Sequence, residues 1–194
     1  MLEIRDLTLA YGDKKVIEGF SMRAKPGDRI RILGESGSGK TTLFQGVAGL
    51  LAPSAGEIHR DGAVAYLFQE ARLLPWMSAR ENVEFVLPAG ADKDIAARYL
   101  REMELGEDME KRPGELSGGM CRRVSLARAL AYAEAAEAEI LLLDEPFTGI
   151  DEERKARLYD VVLKACEGRI LLVSTHDGAE AAALCANEIS LTRP

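Results

Sequence analysis

The chain has 194 residues and a net charge of −7; hydrophobic residues make up 47% of it and charged residues 29%. This composition is typical of a globular protein and excludes a disordered or fibrous chain, and the acidic balance argues against a general nucleic-acid-binding protein. The length predicts one domain over residues 1–194.

The N-terminal part of the chain alternates apolar and polar residues, which predicts β-strands over 2–9, 20–24 and 29–33 with turns at 11–13 and 26–28. A glycine-rich loop comes next, followed by a helix over 41–48 that ends at Gly49 and a short strand over 63–68. We expect this first part to contain antiparallel β-structure.

The remainder of the chain alternates helices and strands. Helices are predicted near 78–87, 91–104 and 118–134, separated by Pro88 and Pro113. The apolar runs 140–143 and 170–173 are typical of strands buried on both faces of a parallel sheet. Helices over 151–166 and 178–185 and a last strand over 189–191 follow. The pattern predicts an α/β fold with a mainly parallel core sheet and a helical subdomain inserted at about 70–134.

The glycine-rich loop fits the phosphate-binding pattern G-x-x-x-x-G-K-[ST] at every fixed position. Backbone N–H groups of such a loop point at the β-phosphate, Lys40 reaches the β- and γ-phosphates, and the Thr41 hydroxyl ligates Mg²⁺. A glycine-rich turn with a chance Lys-Thr pair is the alternative, but the preceding strand and following helix weigh against it. The residues expected to bind ATP here are Gly34, Glu35, Ser36, Gly37, Ser38, Gly39, Lys40, Thr41 and Thr42.

Two carboxylates follow the buried strand at 140–143, at the end of a parallel strand where ligands bind in α/β sheets. We expect Asp144 to hold Mg²⁺, and Glu145 to orient the attacking water or take its proton. The alternative is an ordinary strand end with solvated acids.

A second anion site is predicted at Leu116-Ser117-Gly118-Gly119-Met120, just before a helix. Ser117 is a good N-cap, and the glycines leave backbone N–H groups exposed. Because one nucleotide has a single terminal phosphate, a second site suggests that two chains sandwich each ATP. A flexible helix start is the alternative.

This segment resembles the LSGGQ signature of ATP-binding cassette (ABC) ATPases, with Met120 in the last position. The resemblance extends over residues 2 to about 192 and implies that Ser117, Gly118, Gly119 and Met120 contact the ATP of a partner chain. Tyr11 resembles the aromatic residue that stacks on adenine, Gln69 the Q-loop glutamine that contacts ATP and its metal ion, Asp151 the D-loop aspartate, and His176 the switch histidine that contacts the γ-phosphate. The implied fold is a P-loop NTPase of the ABC type.

The segment from Gln69 to Met77 is similar to that of ATPase subunits serving importers of nitrate, sulfonate, taurine, bicarbonate and thiamine precursors. The resemblance implies a groove beside the Q-loop that receives a cytoplasmic helix of a permease, with contacts from Leu73, Leu74, Pro75 and Trp76. The alternative is that these apolar residues pack the helical insert. One departure from the family pattern is Arg122-Arg123, where Gln-Arg is usual.

The expected function, as the resemblance implies, is that of an ATP-hydrolysing, energy-coupling subunit of an importer. The expected ligands are ATP and Mg²⁺. The subunit would act as a head-to-tail homodimer bound to permease subunits and, through them, would work with an extracytoplasmic binding protein. No nucleic-acid partner is expected. A small anion or thiamine-precursor-like solute is expected. The three widely spaced cysteines and the lack of a long apolar run predict a soluble cytoplasmic chain, and the resemblance implies a peripheral position at the cytoplasmic face of the cell membrane. An exporter or lipid-handling subunit, a soluble ABC ATPase and a small-metabolite kinase are the alternatives.

Overall fold

The computed structural model describes residues 1–191, and it contains two β-sheets. The first sheet is antiparallel, with the strand order β2-β1-β4. Thr192, near which the family resemblance ends, lies outside the described residues. The strands of this sheet are β1 (Leu2–Tyr11), β2 (Lys14–Ala24) and β4 (Ala55–Arg60).

The second sheet has five strands in the order β5-β6-β7-β3-β8, and its paired strands are parallel. The carboxyl ends of its strands therefore meet at one edge, where the candidate site lies. The sheet confirms the predicted α/β fold with a mainly parallel core. Its strands are β3 (Arg29–Leu33), β5 (Val64–Leu67), β6 (Ile140–Asp144), β7 (Ile170–Ser174) and β8 (Asn187–Ser190).

Six α-helices and one short 3₁₀ turn, Pro113–Glu115, complete the described chain. Ser78 begins the second helix with a capping box, because its Oγ accepts from the Glu81 amide while the Glu81 carboxylate accepts from the Ser78 amide. None of the helices within residues 1–191 is both long and apolar enough to cross a membrane. The helices are α1 (Lys40–Val47), α2 (Ala79–Glu84), α3 (Asp94–Glu102), α4 (Gly118–Ala135), α5 (Glu152–Ala165) and α6 (Gly178–Leu184).

Strand β6 joins two hydrophobic clusters because its side chains alternate between the faces of the parallel sheet. Leu141 and Leu143 pack with residues of helices α2 to α5, whereas Ile140 and Leu142 pack with α1 and the antiparallel sheet. Burial of each of these side chains stabilises the fold by about 1.5–3 kcal/mol. The prediction that this run is buried on both faces is confirmed.

The boundaries of several predicted elements are wrong. Strand β2 begins at Lys14 rather than at residue 20, and strand β4 was not predicted at all. The helices expected at 78–87 and 91–104 are shorter in the structure, and the last strand is Asn187–Ser190 rather than 189–191. The division into one domain with a helical subdomain at about 70–134 stays a prediction.

Candidate functional site

The phosphate-binding loop joins the carboxyl end of β3 to the first turn of α1. Gly37 and Gly39 have φ values of 74° and 101°, a backbone region that favours glycine. At Gly34 a Cβ would lie only 2.2 Å from the Ser38 Oγ, so a larger residue would disrupt the loop. The glycines thus let the loop close in front of α1, whose free N–H groups favour an anion.

The Lys40 side chain folds back across this loop. Its Nζ donates to the carbonyl oxygens of Gly34 at 2.7 Å and Glu35 at 3.0 Å, and the residue is buried. The ammonium therefore lies at the loop that would receive a phosphate.

Asp144 lies at the end of β6 with both carboxylate oxygens held by hydroxyl groups. Thr41 Oγ1 donates to Oδ2 at 2.6 Å, and Ser174 Oγ donates to Oδ1 at 2.7 Å. Gln69 lines the same cavity of about 260 Å³. Hydroxyl, carboxylate and amide oxygens are hard ligands of the kind that Mg²⁺ prefers, so these residues fit that ion.

Glu145 follows Asp144 and faces His176. Its Oε1 lies 3.6 Å from His176 Nε2, and its amide donates to the Ser174 carbonyl at 2.8 Å. Burial raises the pKa of the Glu145 carboxyl; the nearby His176 opposes this rise and the Asp144 charge adds to it. A carboxylate with a raised pKa is a stronger base, which suits proton transfer from water.

The cavity brings together five segments that are distant in sequence. Of the predicted residues it includes six from the phosphate loop and the start of α1, together with Gln69, Asp144, Glu145 and His176. Val16 and Ser174, which also line the cavity, had no predicted role. The lining residues are Val16, Ser36, Gly37, Gly39, Lys40, Thr41, Thr42, Gln69, Asp144, Glu145, Ser174 and His176.

The Tyr11 ring does not line this cavity. It is 51% exposed at the end of β1, and its hydroxyl donates to Gln45 Oε1 of α1 at 2.5 Å. Gly34, Glu35 and Ser38 belong to the phosphate loop but do not line the cavity either.

The signature segment lies outside the cavity, at the start of α4. Ser117 caps the helix by accepting from the Met120 amide at 3.2 Å, and both Ser117 and Gly118 are exposed. Gly119 packs so closely on the D-loop that a Cβ would lie 2.6 Å from the Gly149 carbonyl oxygen. Asp151 of the D-loop is exposed and pairs with Arg154.

The expected permease-contacting residues have different surroundings. Leu73 packs against the helical core, as the alternative reading of this segment expects, whereas Leu74 lines a groove of about 430 Å³. Pro75 and Trp76 are exposed, Trp76 by 65%. The groove is lined by Ala48, Leu50, Val64, Tyr66, Phe68, Arg72, Leu74, Phe85, Val86, Arg128, Ala129 and Tyr132.

A parallel sheet with a phosphate loop and carboxylates at its carboxyl edge defines a P-loop nucleoside triphosphatase. The sequence profile of the ABC transporter family matches residues 17–148. The chain belongs to this family and is an ATP-binding ATPase of the importer group.

Relatives and solved structures agree with this assignment. An aliphatic sulfonates import ATP-binding protein of Corynebacterium glutamicum is 39% identical over 188 residues, covering 93% of this chain and 76% of the relative. A similarly named protein of Pseudomonas syringae is 37% identical over 192 residues, which cover 98% of this chain and 69% of the relative. The dimeric ATP-binding cassette MJ0796 bound to ADP and Pi has a TM-score of 0.89 and 27% identity, covering 99% of this chain and 94% of that one.

Proposed function

We propose that this chain is the energy-coupling subunit of an ABC importer and that two copies bind ATP head to tail on a membrane permease. The observation that carries the proposal is the separation of two phosphate-binding segments. Lys40 and Thr41 lie in the cavity, whereas Ser117 and Gly118 are exposed outside it. A second chain can therefore add its signature segment to ATP held by the first, and the dimeric state of MJ0796 supports this arrangement.

In the proposed reaction Lys40 binds the β- and γ-phosphates, and Glu145 takes a proton from the attacking water. His176, 3.6 Å from Glu145, orients the carboxylate and contacts the γ-phosphate. Tyr11 remains exposed enough to stack on adenine. Asp151 contributes to the dimer contact next to the signature of its own chain.

Thr41, Asp144 and Gln69 would hold Mg²⁺ in the proposed site. When bound, this ion neutralises charge on the phosphate oxygens. The chain's own contribution is to fix the oxygen ligands, since Ser174 and Thr41 both donate to the Asp144 carboxylate.

The groove beside the Q-loop is the proposed contact for the permease. It is apolar, with exposed Phe85 and Leu50 at 65% and 61%, and Arg72 and Arg128 add positive charge. An amphipathic helix with an acidic residue would fit this surface. Leu74 lines the groove, and the exposed Pro75 and Trp76 extend it. In this proposal the subunit binds the permease at the cytoplasmic face of the cell membrane.

The proposed solute is a small organic anion of the aliphatic sulfonate type, because the relatives from Corynebacterium glutamicum and Pseudomonas syringae are named as aliphatic sulfonate importer subunits. The permease and an extracytoplasmic binding protein select it. Addition of loaded binding protein should stimulate ATP hydrolysis by the complex in proteoliposomes. Stimulation by a thiamine precursor, and not by a sulfonate, would contradict the solute assignment.

The dimer is tested with Glu145→Gln, which removes the base and preserves the shape of the side chain. We expect this variant to bind ATP, to lose turnover by about a hundredfold or more, and to sediment at twice the 21.1 kDa of one chain. The double variant Ser117→Arg with Glu145→Gln should bind ATP and remain monomeric. Wild-type turnover in Glu145→Gln would contradict the role of the base, and an ATP-dependent dimer of the double variant would contradict the role of the signature.

A further inference from the structure

Arg122 is a buried cation of α4, 4% exposed, whose guanidinium has backbone carbonyls as its recorded hydrogen-bond partners. Nε donates to Pro146 at 3.1 Å, and Nη2 donates to Asp144 at 2.5 Å and Glu145 at 2.7 Å. Nη1 donates to Phe68 at 2.6 Å and Gln69 at 3.0 Å. A guanidinium has five N–H groups, so the five carbonyls satisfy all of them.

These five carbonyls belong to residues 68–69 and 144–146, which lie beyond the last paired residues of β5 and β6. Strands β5 and β6 pair as far as Leu67 and Leu143, and the acceptors begin one residue beyond each. Arg122 therefore continues the connection between the strands past the last paired residues. Within residues 1–191 no carboxylate forms an ion pair with Arg122; its hydrogen bonds instead fix backbone.

The residues fixed in this way carry the proposed chemistry. Gln69 ends one segment, and Asp144 and Glu145 begin the other. Glu145 has a φ of 50°, a sparsely populated conformation for a glutamate. The Glu145 carbonyl oxygen accepts from Arg122, and the Glu145 amide donates to the Ser174 carbonyl. The peptide groups on both sides of the Glu145 side chain are therefore hydrogen-bonded.

We propose that Arg122 is a positioning residue for ATP hydrolysis: it fixes the spacing between Gln69 and the Asp144–Glu145 pair. The inference rests on the proposed function, because it depends on the roles given there to these residues. Loss of the guanidinium should slow the chemical step while nucleotide binding, which depends on the phosphate loop, is preserved.

Arg123 offers a matched control on the same helix. It is also buried, and its Nη1 donates to the carbonyl oxygens of Met103 at 2.5 Å and Glu104 at 3.0 Å, which do not line the cavity. Arg122→Met and Arg123→Met both remove a buried guanidinium, so both should lower the melting temperature. Only the first should change catalysis.

The experiment compares kcat, KM for ATP and melting temperature of the wild-type chain, Arg122→Met, Arg123→Met and Glu145→Gln. For Arg122→Met we expect kcat to fall about tenfold or more with KM within about twofold, and for Arg123→Met kcat within about twofold of wild type. Arg122→Lys and Arg122→Gln, which keep some donors, should recover part of the loss.

Equal kcat values for Arg122→Met and Arg123→Met would overturn the positioning role. If Arg122→Met does not fold, Arg122→Gln is compared with Arg123→Gln: a smaller fall in kcat, still confined to the Arg122 variant, is expected, and equal kcat values would overturn the role. Undiminished turnover of Glu145→Gln would instead refute the proposed site, so the two failures are distinguishable.

Discussion

Five non-glycine residues within residues 1–191 have a positive φ, and Glu145 is the one that lines the cavity. Such a conformation costs about 1–3 kcal/mol and persists only where surrounding contacts fix it. Here the Glu145 amide donates to Ser174 and its carbonyl accepts from Arg122. The strain is offset by hydrogen bonds, and the carboxyl is aimed at His176 as a result.

Gly119, the second glycine of the signature, makes a contact within its own chain that leaves no room for a larger residue. A Cβ at Gly119 would lie 2.6 Å from the Gly149 carbonyl oxygen, which is closer than van der Waals contact permits. We expect Gly119→Ala to lower the free energy of unfolding by about 1–3 kcal/mol, measured by chemical denaturation.

Gly118→Ala is the matched control for this prediction. No atom lies within 4 Å of a Cβ at Gly118, and alanine favours the helix that begins there. Its free energy of unfolding should equal or slightly exceed that of the wild type. Equal destabilisation by both substitutions would show that the contact with Gly149 is unimportant.

At the level of single residues, the sequence was informative where the backbone conformation restricts the residue type. The spacing of the phosphate loop predicted residues that line the cavity, among them Lys40 and Thr41. Ser174 and Arg122 could not be assigned in this way, because a serine after a strand and an arginine in a helix fit many environments. Their roles depend on which carbonyls and carboxylates the fold brings beside them.

At the level of secondary-structure elements, helices α5 and α6 are joined by ion pairs of Lys155, a buried lysine of α5. Lys155 Nζ lies 3.1 Å from both Asp177 Oδ2 and Glu180 Oε1, and 2.6 Å from Glu152 Oε1. Asp177 also caps α6 through the amides of Ala179 and Glu180. The network therefore fixes the end of the loop that carries His176.

This network predicts a pH-dependent stability. The hydrogen bond from Lys155, followed by those from two backbone amides, lowers the pKa of Asp177 below its ordinary 3.8. A lowered pKa stabilises the fold above the ordinary value, and this stabilisation is lost as the pH falls through the folded value. Asp177→Asn should be less stable than wild type at pH 7.

The measurement is denaturation of both proteins over a pH series from about 7 to about 3. The stability difference should begin to shrink as the pH falls below 3.8, where Asp177 of the unfolded chain takes up a proton before that of the folded chain. Asparagine keeps a side-chain oxygen for the cap, so the comparison isolates the charge. A difference that stays constant across the series would contradict the prediction.

The strands differ in how well the sequence predicts them. Strands β6 and β7 are continuous apolar runs buried on both faces, and they were predicted. Strand β4 lies at an edge of the antiparallel sheet, and only Ile58 of its residues is partly buried, so it lacks an alternating pattern. The pairing of β1 with β2 has register shifts, which interrupt the alternation in β2 and explain why its first half was missed.

For the whole molecule, the groove beside the Q-loop predicts how the subunit attaches to a permease. Phe85, 65% exposed, is the aromatic anchor of this surface. Phe85→Asp should weaken binding to the permease by about thirtyfold or more, measured by co-purification and by titration in detergent.

Ala156→Asp is the control for added charge, because Ala156 is exposed on α5 and does not line the groove. This variant should bind the permease as the wild type does, and both variants should keep the wild-type melting temperature. Undiminished binding by Phe85→Asp would exclude the groove as the contact.

In the proposed dimer, helix α4 would connect the signature of each chain to the cavity of the same chain. It begins at the signature and carries Arg122 one turn later, so a shift of the helix would be transmitted through the Arg122 hydrogen bonds to the carbonyls of Gln69 and Glu145. In the proposed dimer, ATP held by one chain acts through the signature of the other on that chain's own cavity. The quantity coupled in this way is the alignment of Gln69, Asp144 and Glu145 in one chain to the binding of ATP by the other. Hydrolysis at the two sites of the proposed dimer would then be coordinated by one helix in each chain.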